Sequence, residues 1–260
     1  MTTALITGAS SGIGETFARE LAASNTDLVL VARSQAKLEE LATELSGKYQ
    51  IKTTVIPQDL TQPAAGQVVF ETVQAQDLRI DTLINNAGFG DYGAFSDRPL
   101  GKLLAMVQLN ITAVVELTGL FLPSMQERKQ GAIINVSSIA GFQPLPYMSV
   151  YAATKAFVLN FSEALWAENK DLGVKILAVC PGPTESEFYD RADFPDSATG
   201  LNGMTMASSE KVVRESLKAL TKAQSTVVTG GFSNQLIVNL PRLMPRDLLV
   251  NVVGKQFKNI

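Results

Sequence analysis

Tyr151 and Lys155 stand four residues apart in the segment Tyr151-Ala-Ala-Thr-Lys155. On a helix this spacing places both side chains on the same face. A free phenol has a pKa of about 10, which is too high for proton exchange at neutral pH. A nearby ammonium favours the phenolate and lowers that pKa. Because the chain has no histidine, this pair is the best candidate for a general acid or base.

The spacing alone is weak evidence, because a tyrosine and a lysine can stand four residues apart by chance. Ser138 lies thirteen residues before Tyr151, at the end of a predicted strand, where its hydroxyl could polarise a carbonyl oxygen. The sequence Asn-Asn-Ala-Gly at 85–88 ends another strand. Asn110 lies within a helical pattern although asparagine is a poor helix former, so it is either a functional residue or an exposed polar position.

A glycine-rich turn follows the first predicted strand directly and opens a helix. Glycines permit positive φ and close backbone approach, and the amides at a helix N-terminus attract a pyrophosphate. Such a turn can also be a plain tight connection, but its place between a strand and a helix favours dinucleotide binding. The residues expected at the phosphates are Gly8, Ser10, Ser11, Gly12, Ile13 and Gly14.

The second predicted strand ends at Ala32 and is followed by Arg33 and Ser34, of which Arg33 is nineteen residues beyond Gly14. An acidic residue here would accept hydrogen bonds from the ribose 2′-hydroxyl of NAD, whereas an arginine suits the 2′-phosphate of NADP. The alternative is a solvated surface arginine. Ser34 is also a plausible N-cap of the next helix. The sequence therefore predicts NADP(H) as the cofactor, in preference to NAD(H).

Short apolar runs alternate with longer helical patterns along the chain. Most runs are rich in Val and Ile and apolar on both faces, as in a parallel sheet covered by helices on two sides. The predicted strands are Ala4–Thr7, Asp27–Ala32, Thr53–Pro57, Thr82–Asn85, Ala132–Ser137, Lys175–Cys180 and Thr226–Thr229. Predicted helices occupy Gln35–Leu45 and lie within Pro99–Gln126 and Val150–Asn169. The pattern predicts a single domain, 1–260, with a Rossmann-type doubly wound parallel α/β sheet of about seven strands and helices on both faces.

Two segments depart from this alternation. Residues 184–206 are rich in Pro, Gly, Ser and Asp and include three aromatic side chains. Because they follow the C-terminal end of a strand, we predict a substrate lid or loop rather than a plain surface excursion. Residues 232–260 form a C-terminal extension with many apolar side chains and two lysines near its end. We predict that it packs on the sheet or on another subunit, and the alternative is a peripheral membrane contact.

Composition limits the possible classes of function. Hydrophobic residues make up 46% of the chain and the net charge is −3, which fits a compact globular protein without a nucleic-acid partner. The single cysteine, Cys180, excludes an internal disulfide and is interpreted as a buried core residue of a cytoplasmic protein. The lack of histidine excludes a metal site built on imidazole, and no metal is expected. We expect neither a secretory signal nor an apolar stretch long enough to span a membrane.

In their order and spacing, these motifs together resemble the short-chain dehydrogenase/reductase family, in its short single-domain branch. The resemblance spans at least residues 3–188. It rests on Thr7-Gly8-x-x-x-Gly12-x-Gly14, Asp59-Leu60-Thr61, Asn85-Asn86-Ala87-Gly88, Asn110, Ser138, Tyr151-x-x-x-Lys155 and Pro181-Gly182. It implies an NADP(H)-dependent enzyme that reduces a ketone or aldehyde, or oxidises the alcohol, and that forms a homodimer or homotetramer.

The resemblance also implies a role for each residue. Tyr151 would donate a proton to the carbonyl oxygen, and Lys155 would lower the tyrosine pKa and hold the nicotinamide ribose. Ser138 would orient the substrate oxygen, and Asn110 would hold a water that connects Lys155 to solvent. The further cofactor contacts would be Asp59 and Leu60 at the adenine, Asn86, Ala87 and Gly88 at the end of their strand, and Pro181 and Gly182 at the nicotinamide.

Two positions depart from the family pattern. NADP-preferring members often carry a basic residue just before the second glycine of the turn, where this chain has Ser11. Arg33 is therefore left as the main contact for the 2′-phosphate. The family usually has a threonine four positions after the glycine of Pro-Gly. This chain has Ser186 there, and Thr184 is the less favoured substitute.

The segments expected to line the substrate site are apolar, and they contain no cluster of Arg or Lys that could hold a carboxylate or phosphate. Their side chains are Phe89, Tyr92, Phe142, Leu145, Tyr147, Met148, Phe188 and Tyr189. We therefore predict a small hydrophobic carbonyl or alcohol substrate. One alternative is a regulatory protein that binds a dinucleotide without catalysis. Another is a sugar-nucleotide epimerase or dehydratase of the extended branch, whose glycine turn is spaced differently.

Overall fold

Seven parallel strands form one sheet in this computed structural model, which describes residues 2–194 and 206–258. The strands are β1 (Thr3–Thr7), β2 (Asp27–Ala32), β3 (Thr53–Pro57), β4 (Thr82–Asn85), β5 (Gly131–Val136), β6 (Val174–Pro181) and β7 (Thr226–Thr229). Their order across the sheet is β3-β2-β1-β4-β5-β6-β7. The predicted strands are confirmed, and their bounds differ by no more than one residue.

Helices cover both faces of this sheet. They are α1 (Gly12–Ala23), α2 (Gln35–Tyr49), α3 (Ala65–Ala75), α4 (Leu100–Val107), α5 (Ala113–Glu127), α6 (Ser149–Asn169), α7 (Phe188–Arg191), α8 (Ser209–Thr221), α9 (Phe232–Asn239) and α10 (Arg246–Lys258). The predicted Rossmann-like, doubly wound architecture is confirmed. Helix α2 continues four residues beyond its predicted end.

Each inner strand is apolar on both sides because each side has its own core. On one face Ile6 and Leu30 pack with helices α1, α2 and α8, and the largest fully buried side chain there is Phe17. On the other face Leu5 and Val29 pack with α3 and α5. Successive residues of a strand point to opposite faces, so the unbroken apolar runs of the sequence follow directly from the two-sided cover.

The strand order reverses beside β1, which pairs with β2 on one side and with β4 on the other. In open α/β sheets a crevice forms at this point, beyond the carboxyl ends of the strands, and ligands bind there. β1, β4, β5 and β6 end at Thr7, Asn85, Val136 and Pro181. The residues that follow these four ends therefore meet at one edge of the sheet.

The predicted long helix within Pro99–Gln126 is interrupted by a single π-helical turn. Helix α4 ends at Val107, the turn occupies Gln108–Thr112, and α5 begins at Ala113. Turns of this kind are rare and often lie at functional sites. The one predicted functional residue of the segment, Asn110, is in the middle of this turn.

The same helical run corrects the expectation about membrane-spanning stretches. Within the residues that the structure describes, Leu100–Glu127 is long and apolar enough to cross a membrane by length and composition, with a mean hydropathy of 1.6. Much of that apolar character belongs to the sheet core, where Leu117, Phe121 and Met125 are buried.

Candidate active site

The glycine-rich turn has the backbone shape that a phosphate cradle needs. Gly8 and Gly12 have φ of +67° and +57°, in the left-handed region that other residues rarely adopt. A Cβ on Gly14 would lie 2.3 Å from the Gly8 carbonyl oxygen, so the turn closes tightly on the start of α1. No side-chain hydrogen bond caps α1 at its N-terminus. This geometry fits the pyrophosphate of a dinucleotide.

Thr7 fastens the turn to the end of β4. Its hydroxyl accepts hydrogen bonds from the backbone amides of Asn86 and Ala87, both at 3.0 Å, and donates to the Ile84 carbonyl. The Asn86 side chain donates to the carbonyl of Thr7 at 2.9 Å. The phosphate turn and the segment 86–88 are therefore held together as one unit, which brings two predicted cofactor contacts into one place.

At the adenosine end of the crevice the structure leaves Arg33 and Ser34 exposed. Ser34 stands at the N-cap position of α2, as predicted, but its hydroxyl makes no cap hydrogen bond. Burial acts to raise the pKa of Asp59, yet the hydrogen bonds from Thr61 and the charge of Arg33 bring it below its ordinary value. Arg33 and Asp59 thus lie close enough for their charges to interact.

Leu60 does not have its side chain in the crevice. It is buried in the core on the α3 and α5 face of the sheet, which leaves only its main chain to face an adenine. The Leu60 contact with the adenine stays a prediction, and only its main chain could make it. Gly182 packs closely against α9. A Cβ at this position would lie 2.1 Å from the side-chain nitrogen of Asn234.

Ser186 lies opposite the phosphate turn. A Cβ built on Gly12 would lie 3.4 Å from the Ser186 Cβ. Thr184, in contrast, is buried and donates its hydroxyl hydrogen bond to the Gly182 carbonyl at 2.9 Å. The placement favours Ser186 over Thr184 as the hydroxyl near the diphosphate, which is the order that the sequence predicts.

Tyr151, Lys155 and Ser138 meet at the carboxyl end of β5. Tyr151 is in the first turn of α6, and Lys155 lies one turn later, with its Nζ 5.8 Å from the centre of the tyrosine ring. The Ser138 hydroxyl lies near the phenol of Tyr151 and acts to lower its pKa, and Ser138 Oγ accepts a hydrogen bond from the Ala140 amide at 3.1 Å. The Lys155 ammonium donates to the Val136 carbonyl at 2.8 Å. The structure thus brings Tyr151 and Ser138, which were predicted to act on the substrate oxygen, together with Lys155, which was predicted to act on the tyrosine and the nicotinamide ribose.

The predicted lowering of the tyrosine pKa is wrong for the chain by itself. Burial raises the pKa of Tyr151 to about 12, although the nearby Ser138 hydroxyl opposes this. Burial also lowers the pKa of Lys155 to about 8. The reason is that both groups lose water, which penalises the charged form of each. Tyr151 is consequently a protonated phenol at neutral pH, as a proton donor should be.

Asn110 is held by both of its amide hydrogens. Its side-chain nitrogen donates to the Phe89 carbonyl and to the Thr154 hydroxyl, each at 3.0 Å, and its Oδ1 accepts from the Phe89 amide at 3.1 Å. The exposed position predicted as the alternative is excluded, because Asn110 is only 1% exposed. Its π-helical turn therefore delivers the side chain into the interior beside α6.

Gly88 separates Asn110 from Lys155. A Cβ there would lie 3.0 Å from Asn110 Oδ1 and 3.4 Å from Lys155 Nζ. Gly88→Ala is expected to lower kcat by roughly ten- to a hundredfold, because a small displacement of Lys155 or Asn110 disturbs the reacting geometry. Steady-state kinetics would measure this. Gly47→Ala is the control, since a Cβ at Gly47 meets nothing within 4 Å, and equal kinetics for both variants would contradict the prediction.

An apolar cluster covers Tyr151 on the side away from the sheet. Phe188 of α7 packs on it, with ring centres 5.2 Å apart. The predicted wall residues Phe89, Tyr92, Leu145 and Met148 belong to the same cluster. Tyr147 and Tyr189 adjoin it through ring contacts with Tyr92 and Phe188.

The cluster also corrects the predicted wall at two places. Phe142 packs elsewhere, with Leu159 and Cys180, because the short 3-10 helix after Ser138 turns its side chain towards β6. Helix α10, which had no predicted role in the pocket, contributes Leu249 and Val253. Part of the predicted lid is the short helix α7, and residues 195–205 of that segment lie outside the described residues.

Four charged side chains flank this apolar cluster and were not predicted. Asp91, of which only 1% of the side chain is exposed, binds Arg98 through both carboxylate oxygens at 2.5 and 2.6 Å and Lys102 at 2.6 Å. Both cations also bind Asp193, at 2.5 and 2.7 Å. We call these residues the Asp91 cluster. It ties the segment after α7 to helix α4.

Other supporting residues were also missed. Asn85 donates to Asn135, which donates to Ser162 of α6, at 2.8 and 2.9 Å. Ser137 donates to the Lys155 carbonyl at 2.7 Å. These bonds fix α6, and with it Tyr151, against the strand ends. The available signal was the presence of polar residues inside or directly after otherwise apolar strands.

Cys180 is fully buried, as predicted. It lies in β6 beside Lys155, and burial raises the pKa of its thiol to about 12. Within the residues that the structure describes, no group of three or more Asp, Glu, Cys or His side chains could hold a metal ion.

Comparisons with known proteins agree with this geometry. The profile of a family described as short chain dehydrogenase matches residues 2–193. A very-long-chain 3-oxoacyl-CoA reductase of Anas platyrhynchos is 32% identical over 273 residues, which cover 99% of this chain and 80% of that protein. A ketoacyl reductase of Nostoc sp. is 35% identical over 93% of this chain and 82% of its own length.

One solved structure is similar to this chain over most of the length of both proteins. It is a short-chain dehydrogenase from Sphingobium yanoikuyae in complex with NADPH. It is 35% identical and superposes with a TM-score of 0.81, over 88% of this chain and 87% of that one.

Proposed function

The chain belongs to the short-chain dehydrogenase family, and on this premise we propose that it is an NADP(H)-dependent reductase of a hydrophobic ketone or aldehyde. The reverse reaction would oxidise the alcohol. The observation that carries the proposal is the meeting of Ser138, Tyr151 and Lys155 at the carboxyl end of β5, with Tyr151 protonated and beneath an apolar cluster.

Bound NADP(H) would supply the hydride or accept it. Tyr151 would donate its phenolic proton to the carbonyl oxygen as the hydride arrives at the carbon. Ser138 would donate a hydrogen bond to the same oxygen and so stabilise the charge that develops there. With a pKa lowered to about 8, Lys155 can exchange protons near neutral pH. It would help to reprotonate Tyr151, and Asn110 would hold the water that connects it to solvent.

We propose a ketone on a long acyl chain as the substrate class. Support comes from the apolar side chains over Tyr151, contributed by α4, α6, α7 and α10, and from the two related reductases whose names refer to 3-oxoacyl or ketoacyl groups. The test follows NADPH absorbance with 3-oxoacyl thioesters of increasing chain length, and with aldehydes and bulky ketones. We expect kcat/KM to rise with chain length. Failure to oxidise NADPH with any carbonyl would instead favour the regulatory alternative.

The NADP preference is proposed to rest on Arg33. Replacing Arg33 with alanine is expected to raise KM for NADPH by about ten- to a hundredfold, because a charge-assisted hydrogen bond contributes about 1.5–3 kcal/mol. KM for NADH should stay unchanged, since NADH lacks the 2′-phosphate. Initial rates with both cofactors would measure this. Lys48→Ala is the control, because it removes an exposed cation from α2, the helix that follows Arg33. An equal rise of KM for both cofactors in Arg33→Ala would refute the assignment.

A homodimer or homotetramer is also proposed. Leu100 and Leu104 of α4 are 64% and 59% exposed, and Val115 of α5 is 39% exposed. An apolar surface on two neighbouring helices is suited to a subunit interface. Light scattering would give the mass in solution. Location in the cytosol and the extent of the single domain stay predictions.

A further inference from the structure

Helix α9 and the 3-10 turn after it carry a stripe of exposed apolar side chains. Phe232, Leu236, Leu240 and Leu243 are 76%, 58%, 49% and 83% exposed. They recur every three or four residues along one continuous helical run, so they share one face. The opposite face is anchored, because Asn234 and Val238 are buried. The exposed stripe is thus a fixed surface feature of the fold.

Helix α10 divides its apolar residues in the same way. Leu249 and Val253 are buried in the cluster that covers Tyr151. Leu248 and Val252 are 51% and 50% exposed. The C-terminal extension therefore does pack on the body of the protein, as predicted, but it uses only part of its apolar surface to do so.

A groove of about 460 Å³ continues the apolar surface beyond α10. Its walls include Phe95, Pro146 and Val250, and Lys255 and Lys258 are among its lining residues. Phe95 is itself 63% exposed. Apolar side chains and cations are therefore mixed along the outer side of α10.

The charge of the extension is opposite to that of the rest of the chain. Residues 232–258 carry four cations, Arg242, Arg246, Lys255 and Lys258, and one anion, Asp247, which gives a net charge of +3. The whole chain has a net charge of −3, so the remainder carries −6. Exposed apolar side chains with flanking cations are the combination with which helices bind at the surface of anionic lipid.

We infer that α9 and α10 dock the enzyme on an anionic membrane surface. The stripe from Phe232 to Leu243 enters the interface between headgroups and acyl chains, and Arg242 and Arg246 pair with lipid phosphates. Because the inner face of α10 contacts the cluster over Tyr151, docking places the apolar pocket next to the lipid. An apolar substrate could then reach the pocket without crossing much water.

A second copy of the chain fits this surface less well than lipid does. In a two-fold dimer the same patch meets itself, so the net positive charge of one extension would face that of the other. Like charges brought together across an interface cost affinity. Anionic lipid supplies the opposite charge, and the charge distribution therefore selects lipid as the occupant.

Sedimentation of the full chain with vesicles tests the inference. We expect strong partition onto phosphatidylglycerol/phosphatidylcholine vesicles, weak partition onto phosphatidylcholine alone, and release by salt. The double variant Leu236→Ser/Leu243→Ser should bind the anionic vesicles more weakly by on the order of tenfold or more. Arg242→Gln/Arg246→Gln should weaken that binding by roughly tenfold.

The matched control is Val68→Ser/Leu172→Ser, which removes two exposed apolar side chains from other parts of the surface. This variant should bind vesicles as the unaltered chain does. Circular dichroism and NADPH binding would verify that every variant is folded. A single variant, Leu243→Trp, gives a gain of signal, because its fluorescence should shift to shorter wavelength when anionic vesicles are added.

Several outcomes would overturn the inference. They are no partition at low salt, equal partition of the Leu236/Leu243 variant and the unaltered chain, or an unshifted Leu243→Trp emission with vesicles. A mass in light scattering that falls in the Leu236/Leu243 variant, without any vesicle binding, would assign the surface to a second copy instead. None of these results depends on turnover, so they are separable from a failure of the proposed activity.

Discussion

Replacing Tyr151 with phenylalanine is expected to lower kcat for carbonyl reduction by about a thousandfold, within the range that a positioned general acid contributes. The substitution removes one oxygen and keeps the ring against Phe188. NADPH binding should persist, because the phosphate turn and Arg33 are untouched. The chain has no histidine that could replace the phenol, and the Lys155 ammonium already donates a hydrogen bond to the Val136 carbonyl.

Steady-state rates and fluorescence titration with NADPH would measure the two effects separately. Tyr49→Phe is the matched control, because it makes the same chemical change on α2, in the core between the sheet and helices α1, α2 and α8. It should keep nearly full activity. Retained turnover in Tyr151→Phe would remove this tyrosine from the mechanism, and loss of NADPH binding would mean that the variant is misfolded or that the ring itself holds the cofactor.

Replacing Asp91 with alanine is expected to lower the free energy of unfolding by about 3–5 kcal/mol, because two partly buried cations lose their buried carboxylate and keep only the exposed Asp193. Arg98 and Lys102 are only 20% and 28% exposed, and Asp91 binds both. Asp193, at 55% exposed, is the comparison within the same cluster. Asp193→Ala should cost less than about 1 kcal/mol, as exposed ion pairs do.

Urea unfolding followed by circular dichroism would give both values. The Asp91 effect should also depend on pH. Burial acts to raise the pKa of Asp91, but hydrogen bonds from Arg98 and Lys102 bring it below the ordinary value of 3.8. A carboxylate with a lowered pKa stabilises the fold above its unfolded pKa and loses this effect as the pH falls through the folded pKa. The difference in the free energy of unfolding between the unaltered chain and Asp91→Ala should thus disappear as the pH falls below about 4. Equal stability of the two chains at pH 7 would contradict the prediction.

The sheet and the central residues of the site were predictable because their signals are local. Strands covered on both faces must be apolar throughout, and the phosphate turn needs glycines at fixed places. Tyr151, Lys155, Ser138 and Asn110 could be found by their order along the chain. The four predicted catalytic residues lie together in the structure.

What could not be predicted depends on contacts between distant segments. The pKa of Tyr151 follows from burial beneath α7, which the Tyr-Lys spacing does not reveal. The Asp91 cluster joins residues about a hundred positions apart, and neither Asp91 nor Asp193 belongs to a motif. Phe142 was assigned to the substrate wall because of its position in the chain, but the local turn directs it to another part of the core.

Because Cys180 is buried, the labelling of its thiol can measure how often this part of the protein opens. It is the one thiol of the protein, it is 0% exposed, and its pKa is raised to about 12. A thiol reagent reacts with the thiolate, so labelling has to wait until the end of β6 separates from α6. The labelling rate would then measure how often this local opening occurs. A ligand that binds only the closed state should slow them, and the degree of slowing would report its affinity without any catalytic turnover.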